Sequence, residues 1–311
     1  MTTDVAMHAL ALALDPSRLA ERYIMLQLIG EGQYGKVHKA VHRRSGVIVA
    51  MKIISKVGRK RIEIESFREE MRLLRQLEHP HIIRLIEYFE TETDIYIVLE
   101  YCKCDLSVYL KRQGGYLKME EVRNIALQLM SALRYLHSLG VVHHDIKLHN
   151  ALIGVDGRIK LCDFGLATQL ARDGKPVYID TLKGTPLYMA PEVLRKAPYT
   201  NKADMWSLGV VLYELYVGKT PFRTSSMADL KRNIMEEDIV WPKLIPALLK
   251  SFLQGLLQRD PDARMGWSQL KRHQFLYKND TEEEALRQEG VQCADRGASH
   301  LSSTLTSSAH L

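Results

Sequence analysis

Apolar residues in the first hundred positions alternate or form short runs, which is the pattern of β-strands. The strands predicted in this way cover residues 24–28, 36–41, 47–54, 82–89 and 95–101. Between the third and the fourth, Phe67, Met71 and Leu74 recur at helical spacing, and His79-Pro80 ends the helix predicted over residues 64–77. The first part of the chain is therefore predicted to be a small antiparallel sheet interrupted by one helix.

Beyond Asp105 the apolar residues follow a helical period instead. Helices are predicted over residues 120–139, 202–217, 226–236, 247–258 and 267–272. Residues 1–22 form an extension ahead of the first strand. Residues 277–311 are predicted to be a disordered tail, because serine and threonine dominate there and few large apolar residues remain. The pattern predicts an α+β protein whose second lobe is larger and mainly helical.

Composition excludes several classes of partner. The 311 residues are 46% hydrophobic, enough for a sizeable core, and the formal charge of +6 is too modest to imply binding to nucleic acid. The four cysteines match neither a disulfide framework nor the paired spacing of a zinc site, which favours a reducing, cytoplasmic location. The apolar run at residues 9–14 is far too short to span a membrane, so no membrane partner is expected.

Three glycines, Gly30, Gly32 and Gly35, lie between the first two predicted strands. Glycines allow backbone N–H groups to close over phosphates without interference from a Cβ atom. A dinucleotide-binding loop would lead directly into a helix, whereas here a strand that contains Val37 follows. The arrangement favours a different phosphate-binding loop, a hairpin between two strands.

Further motifs follow in order along the chain. They are Val49-Ala50-Met51-Lys52 with Glu70 on the next helix, then residues 143–150, Asp163-Phe164-Gly165 and Ala190-Pro191-Glu192. Glu70 is positioned to pair with the ammonium of Lys52. Phosphoryl transfer needs an ammonium near the nucleotide phosphates, a carboxylate that accepts the proton of the attacking hydroxyl, and oxygen ligands for magnesium. The predicted catalytic residues are Asp145, Lys147, Lys52 and Glu70, and the predicted metal ligands are Asn150 and Asp163.

In these motifs the chain resembles the protein-kinase superfamily over residues 23–276, and residues 159–165 and 183–192 resemble the Fused family, relatives of the autophagy-initiating kinases. The resemblance implies a bilobal kinase fold, with an N-lobe over residues 23–101 and a C-lobe over residues 105–276. It also implies a serine/threonine kinase that uses ATP and Mg²⁺ and acts on protein substrates.

The resemblance assigns further roles by position. The residues expected at the nucleotide are Ile29, Gly30, Gly32, Gly35, Val37, Ala50, Lys52, Leu99, Glu100, Cys102, Asp105 and Leu152. In the activation segment, the residues expected to matter are Thr181, Thr185 and Glu192, with Arg264 as the partner of Glu192. Asp204 is expected to hold the backbone of the catalytic loop. The hydrophobic spine of an active kinase is expected to contain Leu74, Leu85, His143 and Phe164.

The main alternative is a pseudokinase, which uses the fold as a binding scaffold. Loss of a catalytic residue is its usual mark, and every predicted catalytic residue and metal ligand is present. A small-molecule kinase is disfavoured, because residues 184–192 resemble the peptide-docking segment of protein kinases.

Some positions depart from the kinase pattern. His144 stands where most kinases have arginine, and Thr168 and Ser66 stand where basic residues often help to bind an activation-segment phosphate. The active arrangement is therefore expected to depend little on phosphorylation of Thr181, with a stronger dependence at low pH, where His144 is protonated. Because His149 replaces a common acidic residue, no strong preference for arginine two residues before the phosphorylated residue is expected.

Overall fold

The computed structural model describes residue 19 and residues 21–32, 35–169, 184–222 and 226–277. Its N-lobe contains one antiparallel sheet in the order β1-β2-β3-β5-β4. The strands are β1 (Tyr23–Gly32), β2 (Gly35–His42), β3 (Ile48–Ser55), β4 (Leu85–Glu90) and β5 (Asp94–Glu100). The predicted meander is confirmed. The fourth strand begins at Leu85 rather than at residue 82, because Ile82 instead forms an isolated parallel bridge with Leu161.

The helix that interrupts the sheet is α1 (Arg61–Gln76). Its buried side chains, Phe67, Glu70, Met71 and Leu74, recur every three or four residues, so one face packs against the core and the other faces solvent. Glu70 is the exception on this apolar face. Since a carboxylate is seldom buried without a purpose, its position marks the helix as part of a site.

The C-lobe consists mainly of helices. They are α2 (Leu106–Arg112), α3 (Met119–Ser138), α4 (Pro191–Leu194), α5 (Lys202–Val217), α6 (Met227–Glu236), α7 (Ala247–Leu256) and α8 (Trp267–Leu270). Three 3₁₀ turns cover Leu148–Asn150, Pro186–Tyr188 and Gln274–Leu276. The predicted α+β, bilobal architecture is confirmed, and the predicted helix over residues 202–217 has the bounds of α5.

Helix α5 is the centre of the C-lobe. Residues 203–213 are all buried, so the helix has no solvent-facing stripe in that stretch and is surrounded by the other elements of the lobe. Two of these buried residues are polar, Asp204 and Ser207. The helix ends at Gly218, whose φ of 84° is the left-handed conformation that glycine adopts at little cost.

The sequence analysis did not predict five short strands that follow β5. They are β6 (Cys102–Asp105), β7 (Val141–Val142), β8 (Ala151–Gly154), β9 (Ile159–Leu161) and β10 (Thr168–Gln169). Strands β6, β8 and β9 form one small antiparallel sheet, and β7 pairs with β10 in another. These pairings bring residues 143–150 and residues 163–165 to the same side of the lobe.

The predicted tail from residue 278 onward, most of the N-terminal extension and Thr181 lie outside the described residues. Within the described ranges, none of the helices is long and apolar enough to cross a membrane.

A close contact between α5 and α7 generates a prediction about stability. A Cβ atom on Gly209 would lie 2.9 Å from the Cβ of Leu256 and 2.9 Å from a methyl carbon of Leu257. An alanine normally stabilises a helix relative to glycine, but overpacking here outweighs that gain, so Gly209→Ala is expected to lower the free energy of unfolding by about 1–3 kcal/mol. Urea denaturation of the purified chain measures this value.

Gly32→Ala is the matched control, because a Cβ atom at Gly32 meets no atom within 4 Å. A Gly209→Ala variant as stable as the wild type would show that the α5–α7 contact adjusts without cost.

Candidate active site

Three of the predicted functional residues meet beside the loop after β7. The Lys147 ammonium donates to the Asp145 carboxylate at 2.6 Å and to the Thr185 hydroxyl at 2.9 Å. The Thr185 backbone N–H and hydroxyl both donate to Asp145 Oδ1, each at 3.2 Å. Asp145 is therefore fixed between the catalytic loop and the activation segment, with its carboxylate beside an ammonium and a hydroxyl.

Asn150 holds the same carboxylate and keeps an amide oxygen that can bind a metal ion. Its side-chain NH₂ donates to the Asp145 carbonyl at 2.9 Å and to Asp145 Oδ2 at 2.8 Å, which leaves the amide oxygen as an acceptor. The Cys162 backbone N–H donates to the Asn150 carbonyl at 2.9 Å, so Asp163, the next residue, lies close to Asn150. One amide oxygen and one carboxylate form the kind of oxygen-only donor set that suits magnesium together with substrate phosphates.

Asp204, near the start of α5, holds the backbone that leads into this loop. Its carboxylate accepts the backbone N–H groups of His143 at 2.9 Å and of His144 at 3.0 Å, and it lies 2.8 Å from His137 Nε2. Burial alone would raise the pKa of Asp204. The hydrogen bond from His137 and the charges of His137, His144 and His143 together outweigh burial and hold that pKa at about 2. The expected contact of Asp204 with the catalytic loop is present.

The side chains expected in the spine are buried in the main core or packed against it. The ring of His143 contacts the ring of Phe164 edge-to-face, with centroids 4.9 Å apart, and both residues are buried. Leu74 belongs to the same core, and Leu85 packs against it. Phe164 therefore points into the core, which orients Asp163 away from it.

The expected ion pair between Lys52 and Glu70 is not formed, and this corrects the sequence prediction. Within the described part of the chain, no nitrogen–oxygen approach of 4.0 Å or less joins the two side chains. The Glu70 carboxylate lies against the Asp-Phe-Gly segment instead: Glu70 Oε2 is 3.3 Å from the place of a Cβ on Gly165. Burial raises the pKa of Glu70, whereas the charge of Lys52 and a hydrogen bond from the Phe164 N–H act in the opposite direction.

Strand register aligns the residues expected around the nucleotide. Val37 lies opposite Lys52 across β2 and β3, and Ala50 lies opposite Leu99 across β3 and β5. Leu152 lies on β8 of the small sheet in the C-lobe. A Cβ on Gly35 would lie 2.1 Å from a backbone oxygen of β3, so only glycine fits there. Ile29 and Gly30 lie near the end of β1, and Gly32 pairs with Gly35 at the tip of the hairpin.

The connection between the lobes contains Glu100, Cys102 and Asp105, which are expected at the nucleotide. Glu100 ends β5, and its carboxylate forms an ion pair of 3.0 Å with Lys160 on β9. Cys102 is half-buried, and burial raises the pKa of its thiol to about 12, so the thiol stays protonated. Asp105 caps α2 by accepting the Val108 backbone N–H at 2.9 Å. The sequence analysis placed Asp105 at the nucleotide and did not predict this capping role.

Glu192 and Arg264, the pair expected to anchor the activation segment, are joined by a buried bidentate ion pair with distances of 2.6 and 2.9 Å. The Arg264 guanidinium also donates to the carbonyls of Gln258 and Lys202, so four of its five N–H groups have described partners. A buried bidentate pair with further hydrogen bonds of this kind has a well-defined geometry.

A groove of about 710 Å³ beside Asn150 contains a carboxylate that the sequence analysis missed. Glu214 of α5 lines this groove together with His149 and Lys219. Its carboxylate accepts the Tyr188 hydroxyl at 2.5 Å, and burial raises its pKa. Glu214 is ten residues along the helix from Asp204 and belongs to no motif, so only the three-dimensional structure places it beside His149.

Comparisons with known proteins agree with this geometry. Residues 23–276 match the protein kinase domain family. The chain is 44% identical to serine/threonine-protein kinase fused of Drosophila melanogaster over 255 residues, which is 82% of this chain and 31% of the relative. It is 41% identical to serine/threonine-protein kinase 36 of Mus musculus over 256 residues, 82% of this chain and 19% of the relative.

A plant protein shows a similar likeness. Over 265 residues the chain is 41% identical to serine/threonine-protein kinase TIO of Arabidopsis thaliana, covering 85% of this chain and 20% of the relative. The chain thus spans a third or less of the length of these relatives. The matched family, the similar kinases and the arrangement around Asp145 show that the chain belongs to the protein kinase family, where it resembles the Fused-type serine/threonine kinases.

Proposed function

We propose that this chain transfers the γ-phosphoryl group of ATP to serine and threonine hydroxyls of protein substrates. The observation that supports it most is the contact set of Asp145, which joins Lys147, Thr185 and Asn150 around one carboxylate. The carboxylate can accept the proton of a hydroxyl nucleophile, and the ammonium beside it can stabilise the phosphoryl group that this nucleophile attacks.

In the proposed reaction, the substrate hydroxyl oxygen forms a bond to the γ-phosphorus, and the bond to the β,γ-bridging oxygen breaks with its electron pair leaving on ADP. Asp145 accepts the hydroxyl proton. Lys147, 2.6 Å from Asp145, stabilises the charge of the transferred group. Lys52 binds the α- and β-phosphates, and Leu99, Ala50 and Leu152 surround the adenine.

Asn150 and Asp163 would hold magnesium, whose charge would help to neutralise the phosphates. The free amide oxygen of Asn150 fits this role, because both bonds described for its NH₂ group go to Asp145. Asp163 has a φ of 66°, a left-handed conformation that is costly for a residue other than glycine. Such strain is typical of a side chain that is aimed at a site.

The scaffold alternative finds no support in this geometry. A pseudokinase has no need of a braced Asp145 or of a strained Asp163, and every predicted catalytic residue and metal ligand is retained. The absence of an ion pair between Lys52 and Glu70 leaves the proposal intact, since the charge of Lys52 still acts on the Glu70 carboxyl group.

The first prediction for this site concerns three substitutions. Lys52→Met, Asp145→Asn and Asp163→Ala are each expected to lower phosphate transfer from ATP and magnesium to a protein substrate by at least about 100-fold. Each removes a charge from the site and little packing volume, so the melting temperature should change little. A radiolabelled transfer assay beside thermal denaturation measures both quantities.

Lys111→Met and Asp156→Asn are the matched controls, because both residues are exposed and lie outside the site. Since the catalytic groups act as a unit, the double variant Lys52→Met/Asp145→Asn should lose little more than either single variant. Turnover at the wild-type rate by Asp145→Asn would overturn the assignment of the base.

The second prediction concerns the groove beside Asn150. Glu214 supplies a carboxylate there, but the Tyr188 hydroxyl already occupies one of its oxygens, and His149 and Lys219 line the same groove. Arginine two residues before the phosphorylated residue should therefore raise kcat/KM by no more than about tenfold. A second carboxylate, introduced by His149→Glu, should strengthen the preference, and Glu214→Gln should remove it.

Peptide libraries phosphorylated by the three proteins test this prediction. The prediction would be contradicted if the wild type strongly selected arginine two residues before the phosphorylated residue and Glu214→Gln kept that selection. Residues other than Glu214 would then bind the arginine.

A further inference from the structure

His144, the residue before Asp145, has a strained backbone. Its φ is 68°, a left-handed value that is unfavourable for a residue with a Cβ atom. Such a conformation persists only where the surroundings hold it. Because His144 is joined to Asp145 by one peptide bond, whatever holds His144 also orients the carboxylate of Asp145.

Three groups hold His144 from three directions. Its backbone N–H donates to Asp204 at 3.0 Å, and its ring Nε2 lies 2.8 Å from the Thr168 hydroxyl. The buried ring of Tyr199 meets the imidazole edge-to-face, with centroids 4.6 Å apart at 86°. The Tyr199 hydroxyl lies 3.4 Å from the Thr168 hydroxyl, so the three side chains touch one another.

This cluster joins separate segments of the chain. Thr168 belongs to β10, directly opposite Val142 on β7, and β7 leads into the catalytic loop. Tyr199 lies between α4 and α5, after the activation segment. His144, Thr168 and Tyr199 therefore connect the catalytic loop with the segments on both sides of residues 170–183.

The cluster has no formal charge at neutral pH. Burial lowers the pKa of His144, while Asp204 raises it and His143 and His137 lower it further. Thr168 and Tyr199 are hydroxyl groups, and burial raises the pKa of Tyr199. The lowered pKa of His144 works against the protonation of His144 that was expected at low pH.

We propose that Thr168 and Tyr199 are positioning residues for Asp145, acting through His144, and that this neutral cluster holds the catalytic loop without any phosphate on the chain. The inference rests on the proposed kinase function. Its physical basis is that His144 Nε2 and the two hydroxyls have partners inside the cluster, and that the His144 backbone N–H has one in Asp204. Among the described residues, the three side chains of the cluster itself offer a phosphate no ammonium or guanidinium group.

The first experiment uses the full chain and a hydroxyl deletion. Thr168→Val keeps the shape and removes the hydrogen bond, so kcat should fall about five- to tenfold while the KM for ATP stays unchanged. Thr168→Ser restores the hydroxyl and should restore kcat to within about twofold. Thr93→Val, at an exposed turn of the N-lobe, is the matched control.

The second experiment asks whether phosphate is needed. The wild-type chain is treated with a phosphatase, its dephosphorylation is verified by mass spectrometry, and its activity should stay within about twofold. The double variant His144→Arg/Thr168→Lys replaces the uncharged side chains of His144 and Thr168 with two cations. That variant should lose most of its activity when dephosphorylated, because like charges would face each other.

The outcomes separate the inference from the function on which it rests. A wild-type chain without phosphotransfer would refute the proposed function itself. An active wild type that loses activity on dephosphorylation, a Thr168→Val variant with normal kcat, or a dephosphorylated double variant with normal activity would each overturn the inference alone.

Discussion

The buried carboxylate of Asp204 is the constraint on which the catalytic loop depends. A charge without solvent is costly unless it is paired and hydrogen-bonded, and here two backbone N–H groups and one imidazole surround it. Its pKa of about 2, against an ordinary 3.8, corresponds to about 2 kcal/mol of stability. Because the folded-state pKa is depressed, that stability is fully present above pH 3.8 and is lost as the pH falls through about 2.

The rest of the site follows from that anchor. Asp204 belongs to α5, whose residues 203–213 are all buried, so its carboxylate has a fixed position. Through its two hydrogen bonds it fixes the backbone of His143 and His144. From there the chain turns through a strained residue to Asp145, whose oxygens are then held by Lys147 and Asn150. A rigid helix thereby determines the geometry of a loop that has little regular structure of its own.

Much of this arrangement is predictable from the sequence, and the exceptions have physical reasons. The long helix α5 follows from its apolar run, and the motif residues around Asp145 follow from their order. Strands β7 and β10 have two residues each, too few for any periodicity. Tertiary packing determines the contact of Glu214 with Tyr188 and the absence of an ion pair between Lys52 and Glu70. No local sequence pattern encodes such packing.

Hydrogen exchange of the Asp204→Asn variant measures whether the Asp204 carboxylate holds the catalytic loop. The amide keeps one acceptor oxygen but turns an NH₂ group toward a backbone N–H, so one of the two loop hydrogen bonds is lost. The variant should show faster exchange across residues 143–150, a loss of phosphotransfer and a retained helical signal, with Asp262→Asn as the exposed control. Unchanged protection of the loop together with full activity would contradict the anchoring role of Asp204.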